Sequence, residues 1–353
     1  MLRHAGRAPT RRAWVLRPLG GAVSLRIDKR TGLVCLGLFL LALCVALLAL
    51  TSGDYPVALA DVLTALLGRA DGPVHMVIVE WRLPRTALAL VLGAALGASG
   101  AIFQSLTRNP LGSPDVIGFD AGAYTGALLV ITLLQGDYAT TAGAALLGGL
   151  LTALLVYGLA FRRGVQGFRL IIVGIGVAAM LHALNTFMLL RARLEVAMTA
   201  AVWGAGSLNG LGLDRLLPAA LTVAVLLLLA LTLARPMAQL ELGDDAARAL
   251  GIKAEPTRLA LLVLGVALTA VATATAGPIG FVALAAPQLA RRLTGAAGVT
   301  MLPSAAMGAL LLVGADYLAQ RAFAPTQLPV GIVTISLGGV YLVWLLLRDA
   351  RRT

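Results

Sequence analysis

The chain has 353 residues, of which 59% are hydrophobic and only 12% charged, with a mean hydropathy of +0.91. So few charges cannot cover the surface of a soluble protein of this size, and the chain is read as an all-α polytopic membrane protein. The formal charge of +12 does not point to nucleic acid: the basic residues form no stripe with interleaved aromatics but sit between apolar runs, where they set topology.

Residues 1–30 carry seven arginines and Lys29 against one acid, Asp28. A full apolar span follows with no small-residue cleavage site, so this stretch is expected to be a disordered, basic cytoplasmic tail. Targeting, or contact with membrane lipid, is the other reading. From residue 31 to 350 the chain reads as one transmembrane domain of ten helices, with apolar runs at 32–50, 83–105, 116–134, 139–161, 169–190, 214–234, 258–276, 280–292, 301–321 and 330–348. The eighth run, GPIGFVALAAPQLARR, offers only about 20 Å of apolar helix and contains Pro287; it either re-enters or crosses while shielded by neighbours.

Charge placement sets the parity. With the N-terminus inside and ten crossings, only Arg69, Arg82, Arg85, Arg191, Arg193, Arg215 and Arg321 of the 28 basic residues fall outside. That bias obeys the positive-inside rule, and dropping the eighth crossing would put Arg348, Arg351 and Arg352 outside. Both termini are then cytoplasmic.

Between the sixth and seventh runs lies the most charged interior stretch, LELGDDAARALGIKAEPTR (240–258), on the cytoplasmic side. Asp244 is expected to cap a short helix carrying Asp245 and Arg248, and Gly251 to end it. Its apolar members Leu242, Ala247 and Leu250 suit a partner's groove, while the charges set orientation. Within the spans, Gln104, His182 and Asn185 are the main polar residues and Asp316 the main acid. Gln104 and Asn185 read either as helix–helix hydrogen-bond partners or as pathway residues. Arg82, Arg85 and Arg321 face outward, for lipid snorkelling or for pairing with carboxylates of an extracytoplasmic partner.

Catalytic chemistry is not indicated. Lys29 and Lys253 are the only lysines and neither lies in a phosphate-binding loop; His4, His75 and His182 lack neighbours at metal-ligand spacing. No triad or paired carboxylates stand out, and no cofactor or metal is implied.

Six motifs then carry a resemblance: WRLPR (81–85), GASGAIFQSLTRNPLGSPDVIGF (97–119), WGAGSLNG (203–210), LGDDAARALGI (242–252), AGPIGFVALAAPQLARR (276–292) and LPVGIVT (328–334). In this order, over about 33–348, they resemble the iron-siderophore and vitamin B12 permeases of ABC importers (FecCD type). PLGSPDVIGF, IIVGIG (171–176) and WGAGSLNG are most like the ferric-enterobactin permease subunits of that family. The resemblance implies the type II ABC importer permease fold, a dimer with a second, different permease subunit, two ATP-binding subunits inside, and a siderophore-binding protein outside. It implies that Leu242, Gly243, Asp244, Asp245, Ala247, Arg248, Leu250 and Gly251, within a segment of about 240–255, couple to the ATPase. It also implies that Arg82, Arg85 and Arg321 dock the binding protein. Gln288 departs from the histidine that many members carry there, so no role resting on that histidine transfers. A vitamin B12 or haem permease of the same family, and an ion-coupled secondary carrier, are the alternatives to a ferric siderophore importer of the bacterial inner membrane.

Overall fold

The computed structural model describes residues 13–16, 25–161 and 167–350. Most of the basic tail, and Arg162, Arg163, Arg351 and Arg352 of the charge count, lie outside them. Within the tail, β1 (Ala13–Leu16) pairs antiparallel with β2 (Leu25–Asp28), Ala13 opposite Asp28. These eight residues are therefore paired where the sequence suggests no structure. β1, AWVL, is apolar throughout and β2, LRID, alternates over only four residues, which hides such a ribbon from a reading of periodicity.

Helices follow. Asp28 caps α1 (Lys29–Thr51), accepting from the Arg30 and Thr31 amides. Then come α2 (Leu59–Leu66) and α3 (Pro73–His75), which continues through a π-helical stretch, Met76–Arg82, into α4 (Leu83–Thr107). After α5 (Phe119–Leu129), prolonged to Leu134, lie α6 (Tyr138–Ala160), α7 (Gly167–Arg191), α8 (Leu194–Gly204) and α9 (Leu213–Thr232). The rest are α10 (Ala234–Leu240), α11 (Asp244–Ala249), α12 (Ala254–Ala276), α13 (Val282–Thr294), α14 (Met301–Arg321) and α15 (Val330–Ala350).

Every expected apolar run holds a helix. Among the described residues seven helical stretches are long and apolar enough to cross a membrane: α1, Pro73–Thr107, α6, α7, α9, α12 and α14. Phe119–Leu134 and Val330–Trp344 are shorter apolar stretches, and α13 has 13 residues, about 20 Å. α8 is an additional apolar helix.

α4 is the axis of the bundle, buried along most of its length, and its most extensive neighbour is α14. The two meet through glycine: a Cβ on Gly308 would fall on the Gly93 carbonyl, and one on Gly97 on the Ser304 carbonyl. In lipid no hydrophobic effect drives helices together, so such close approach, with its van der Waals contact, is what holds the pair. Polar ties reinforce α4. Ser99 Oγ donates to Gly265 O at 2.7 Å and lies 2.7 Å from Thr269 Oγ1 on α12. Gln104 Nε2 donates to Leu284 O of α13 at 2.9 Å.

One end of the α4–α14 seam is closed by a buried ion pair. Arg85 donates through Nε and Nη2 to Asp316, with Nη2 2.8 Å from Oδ1, and the Asp316 side chain is 2% exposed. Gln320 Nε2 donates to the second carboxylate oxygen, and Arg85 Nη1 donates to Gln327 Oε1. Breaking such a pair by removing one partner costs about 3–5 kcal/mol, whereas replacing both with apolar groups is much milder. Arg85→Leu and Asp316→Leu should each lower the unfolding temperature in detergent, and the double variant should regain part of the loss. Gly308→Val, which pushes α4 from α14, should reduce the yield of folded protein on size-exclusion chromatography.

Candidate functional site

At the end of the bundle where α1 begins, Arg30 Nε donates to Leu293 O of α13, and Glu241 Oε1 accepts from the Val299 amide. Arg108, just past α4, reaches the same end. This is the basic end, and α11 stands on it. The six residues of α11 make about 9 Å of helix. Its N-cap is Gly243, at φ 110°, not Asp244. Asp244 opens the helix, and its Oδ1 accepts from Arg108 Nη2 and from Arg258 Nη2, both at 2.7 Å. Two charge-assisted bonds outcompete an amide cap for that carboxylate. Burial pushes the Asp244 pKa up, but Arg258 and then Arg108 outweigh it and hold the carboxyl below its ordinary value. Arg258 is itself 5% exposed and also donates to Glu255.

The turn that ends α11 is a Schellman motif. The Gly251 amide donates to Arg248 O and the Ile252 amide to Ala247 O, at 2.9 and 3.0 Å. Gly251 has φ +83°, a conformation that a side chain disfavours although there is space for one. Ala247 corrects the expectation for this helix: it is wholly buried in a cluster with Met237, Leu240 and Ala254. It fills this chain's own core because α11 must lean on α10 and α12 to stay in place. The exposed face is Leu242 and Leu250, with Asp245 and Arg248.

The arginines expected to face outward lie at the opposite end of the bundle, and two of them are engaged within the chain. Arg82 donates to Leu50 O at 2.8 Å and to Tyr55 O at 2.6 Å, fastening the end of α1. Arg85 turns inward to Asp316, leaving its side chain 12% exposed. Arg321 ends α14 half-buried and lies near Arg82 and its neighbour Asp54. A recess of about 630 Å³ opens here, lined in part by Asp54, Glu80, Arg82, Gln320 and Gln327.

Between the ends, the segment after Arg108 runs back along α13. Gln288 Nε2 donates to Pro110 O at 2.8 Å, and the Phe281 amide to Asp115 Oδ2 at 3.0 Å. Gln288 thus ties α13 to the NPLGSPD stretch. Asp115 and Asp120, which the sequence reading does not single out, both lie on this wall; Asp120 accepts from Thr273 Oγ1 at 3.0 Å. Their signal was the pair of acids in PDVIGFD. Gln104 and Asn185, read as pathway candidates, are both buried between helices; Asn185 Nδ2 reaches Ala121 O only weakly, at 3.4 Å. Gln104 ties α4 to α13, whereas Asn185 Oδ1 lies buried without a hydrogen-bond partner among the described residues. Three of the glycine-rich motifs also converge: the Ser207 amide donates to Ala276 O, and the Gly331 amide to Gly206 O.

Comparison with known proteins agrees with this arrangement. The FecCD transport family matches residues 39–348. The chain is 50% identical over 326 residues to the ferric enterobactin transport system permease protein FepG of Escherichia coli K12, covering 92% of this chain and 99% of that one. It is 37% identical over 319 residues to the iron(3+)-hydroxamate import system permease protein FhuG of Bacillus subtilis, covering 88% and 95%. Its structure superposes with a TM-score of 0.79 on an inward-facing metal-chelate type ABC transporter, at 28% identity over 90% of this chain and 99% of the other. The chain belongs to the FecCD transport family.

Proposed function

We propose that this chain is a permease subunit of an ABC importer that carries a ferric siderophore, of the enterobactin type, across the bacterial cytoplasmic membrane. It crosses ten times with both termini inside and pairs with a second, different permease chain. Two ATPase subunits engage the basic end, and a siderophore-binding protein docks on the other. Half-identity to a ferric enterobactin permease along nearly its whole length is the observation that carries the substrate. The vitamin B12 or haem reading draws no comparable support from the relatives named above.

The coupling role rests on the Asp244 bridge. A push on α11 passes through one carboxylate to Arg108 at the end of α4 and Arg258 at the start of α12. Packed helices move as units, so displacement of α11 moves α4 and α12, and α14 with α4. ATP hydrolysis stays with the partners; this chain supplies no catalytic group to it. Asp316 was the acid on which an ion-coupled carrier would depend, and Arg85 neutralises it.

Uptake of radiolabelled ferric enterobactin in a strain lacking its own permease pair, complemented with this chain and its partners, tests the substrate. Accumulation is expected, and its absence, with another ferric chelate accumulating instead, would exclude enterobactin. Leu250→Asp and Gly251→Val should cut uptake at least tenfold and abolish stimulation of the ATPase by loaded binding protein; unchanged uptake with unchanged stimulation would remove α11 from coupling. The Asp244 bridge adds stability that is complete above the unfolded carboxyl pKa of about 3.9 and is lost as pH falls through the lower folded value. Asp244→Asn should therefore destabilise the transporter at neutral pH, measured as a lower unfolding temperature, and flatten its acid response. At the other end, Arg321→Glu should weaken docking of the binding protein in a salt-dependent manner, read by surface plasmon resonance.

A further inference from the structure

Among the described residues, three that are not glycine hold a positive φ: Arg108, Gln135 and Phe281. Arg108 (φ 50°, ψ 34°) and Gln135 (φ 48°, ψ 39°) end helices in the left-handed region, where such caps commonly lie. Phe281 differs. It begins α13, and its φ of 76° with ψ of −30° falls outside that region. A bulky aromatic residue keeps such a backbone only where its surroundings over-determine it.

Those surroundings are a carboxylate and a glycine. The Phe281 amide donates to Asp115 Oδ2 at 3.0 Å, while Asp115 Oδ1 is buried with no hydrogen-bond partner among the described residues. A buried carboxylate oxygen left unpaired is itself unfavourable, so one bond joins two groups that are both held away from their preferred state. The Phe281 ring lies on Gly338 of α15, where any Cβ would fall on the ring. Tyr341, on the same face of α15, meets that ring at 80° with centroids 6.3 Å apart. Glycine weakens a helix interior, and here it makes the socket.

α15 is lightly held. Its substantial contacts with other helices are with α14 and α13, and Ile332, Ile335, Val340 and Val343 along it are exposed. The Gly331 amide fastens its head to Gly206 O, and Phe281 grips it about two turns further on. We propose that Phe281 is a latch between α13 and α15, closed in this conformation and released in another state of the transport cycle, a role that rests on the ATP-driven importer reading. Gln104 of α4 holds Leu284 O, one turn into α13, so displacement of α4 reaches the head of α13 beside the Asp115 bond. Once that bond is lost, φ relaxes to a negative value, the Cα–Cβ bond turns, and the ring leaves Gly338. Closed and strained, or open and relaxed, are two discrete arrangements, which is how packed elements switch. Phe281 is thus a positioning residue that sets when α15 is free to move.

The test needs neither uptake nor a known substrate. Phe281→Cys/Gly338→Cys, in a Cys35→Ala/Cys44→Ala background, brings two thiols within disulfide reach, because a Gly338 Cβ would fall on the ring atom one bond from the Phe281 Cβ. The whole transporter is reconstituted, and cross-linking by copper phenanthroline is followed without nucleotide and with ATP trapped by vanadate. The rate should differ on the order of tenfold between the two states. Equal cross-linking in both, or none in either, in a transporter that hydrolyses ATP, would overturn the latch and leave the importer reading standing. Oxidation should also lower ATP hydrolysis by this variant about tenfold, and reduction should restore it. Hydrolysis that survives complete cross-linking would show a static contact and overturn the latch. Absence of hydrolysis by the wild-type assembly would reject the importer reading and the latch with it.

Discussion

The carboxylate of Asp244 lies 2.7 Å from guanidinium nitrogens of Arg108 and Arg258, which belong to the ends of different helices, and α11 is held rigid because of it. A six-residue helix has no stability of its own in water, since nucleation costs more than so few hydrogen bonds return. α11 persists because this ion bridge holds its first turn, Ala247 anchors its buried face, and the turn at Gly251 closes its end. What remains exposed is a small surface with two leucines and two charges, held at fixed height on the bundle. Such a surface can receive a force and pass it on without bending.

α4, which Arg108 joins to Asp244, is bound on every side. Glycines bring it against α14, Ser99 ties it to α12, Gln104 ties it to α13, and Arg85 with Asp316 locks the far end. Charges within the bundle thus serve its architecture. Arg85 and Asp316 neutralise each other, and Arg82 is spent on the end of α1. The same economy explains why α13 can be short: Gln288 and the Phe281 amide find partners in the stretch after Arg108, so polar groups at the head and along the side of α13 are satisfied inside protein.

Periodicity and apolar length were enough to place a helix in each of the ten apolar runs, although among the described residues only seven helical stretches are long and apolar enough to cross a membrane. α8 escaped because 11 residues fall below that length and merge with the loops around them. The short charged helix between α10 and α12 was legible from its charge, and its end from Gly251. The inward face of Ala247 was not, because six residues hold fewer than two turns and give no stripe to read. Positive-inside counting places arginines on a side but says nothing of their partners: Arg85 and Asp316 are 231 positions apart, and only the folded seam brings them together. Gln104 and Asn185 stand out in the sequence only as polar groups within apolar spans; the folded bundle shows Gln104 bonded to Leu284 O and Asn185 buried beside Ala121 O.

The proposed function is ATP-driven movement of a ferric siderophore through this chain and a second permease chain. The direct measurement is accumulation of radiolabelled ferric enterobactin in proteoliposomes holding the two permease chains, the ATPase subunits and the loaded binding protein. Accumulation with ATP, and none with a non-hydrolysable analogue or with an imposed proton or sodium gradient alone, is the predicted result. Accumulation by the permease chains without the ATPase, driven by an ion gradient, would contradict it.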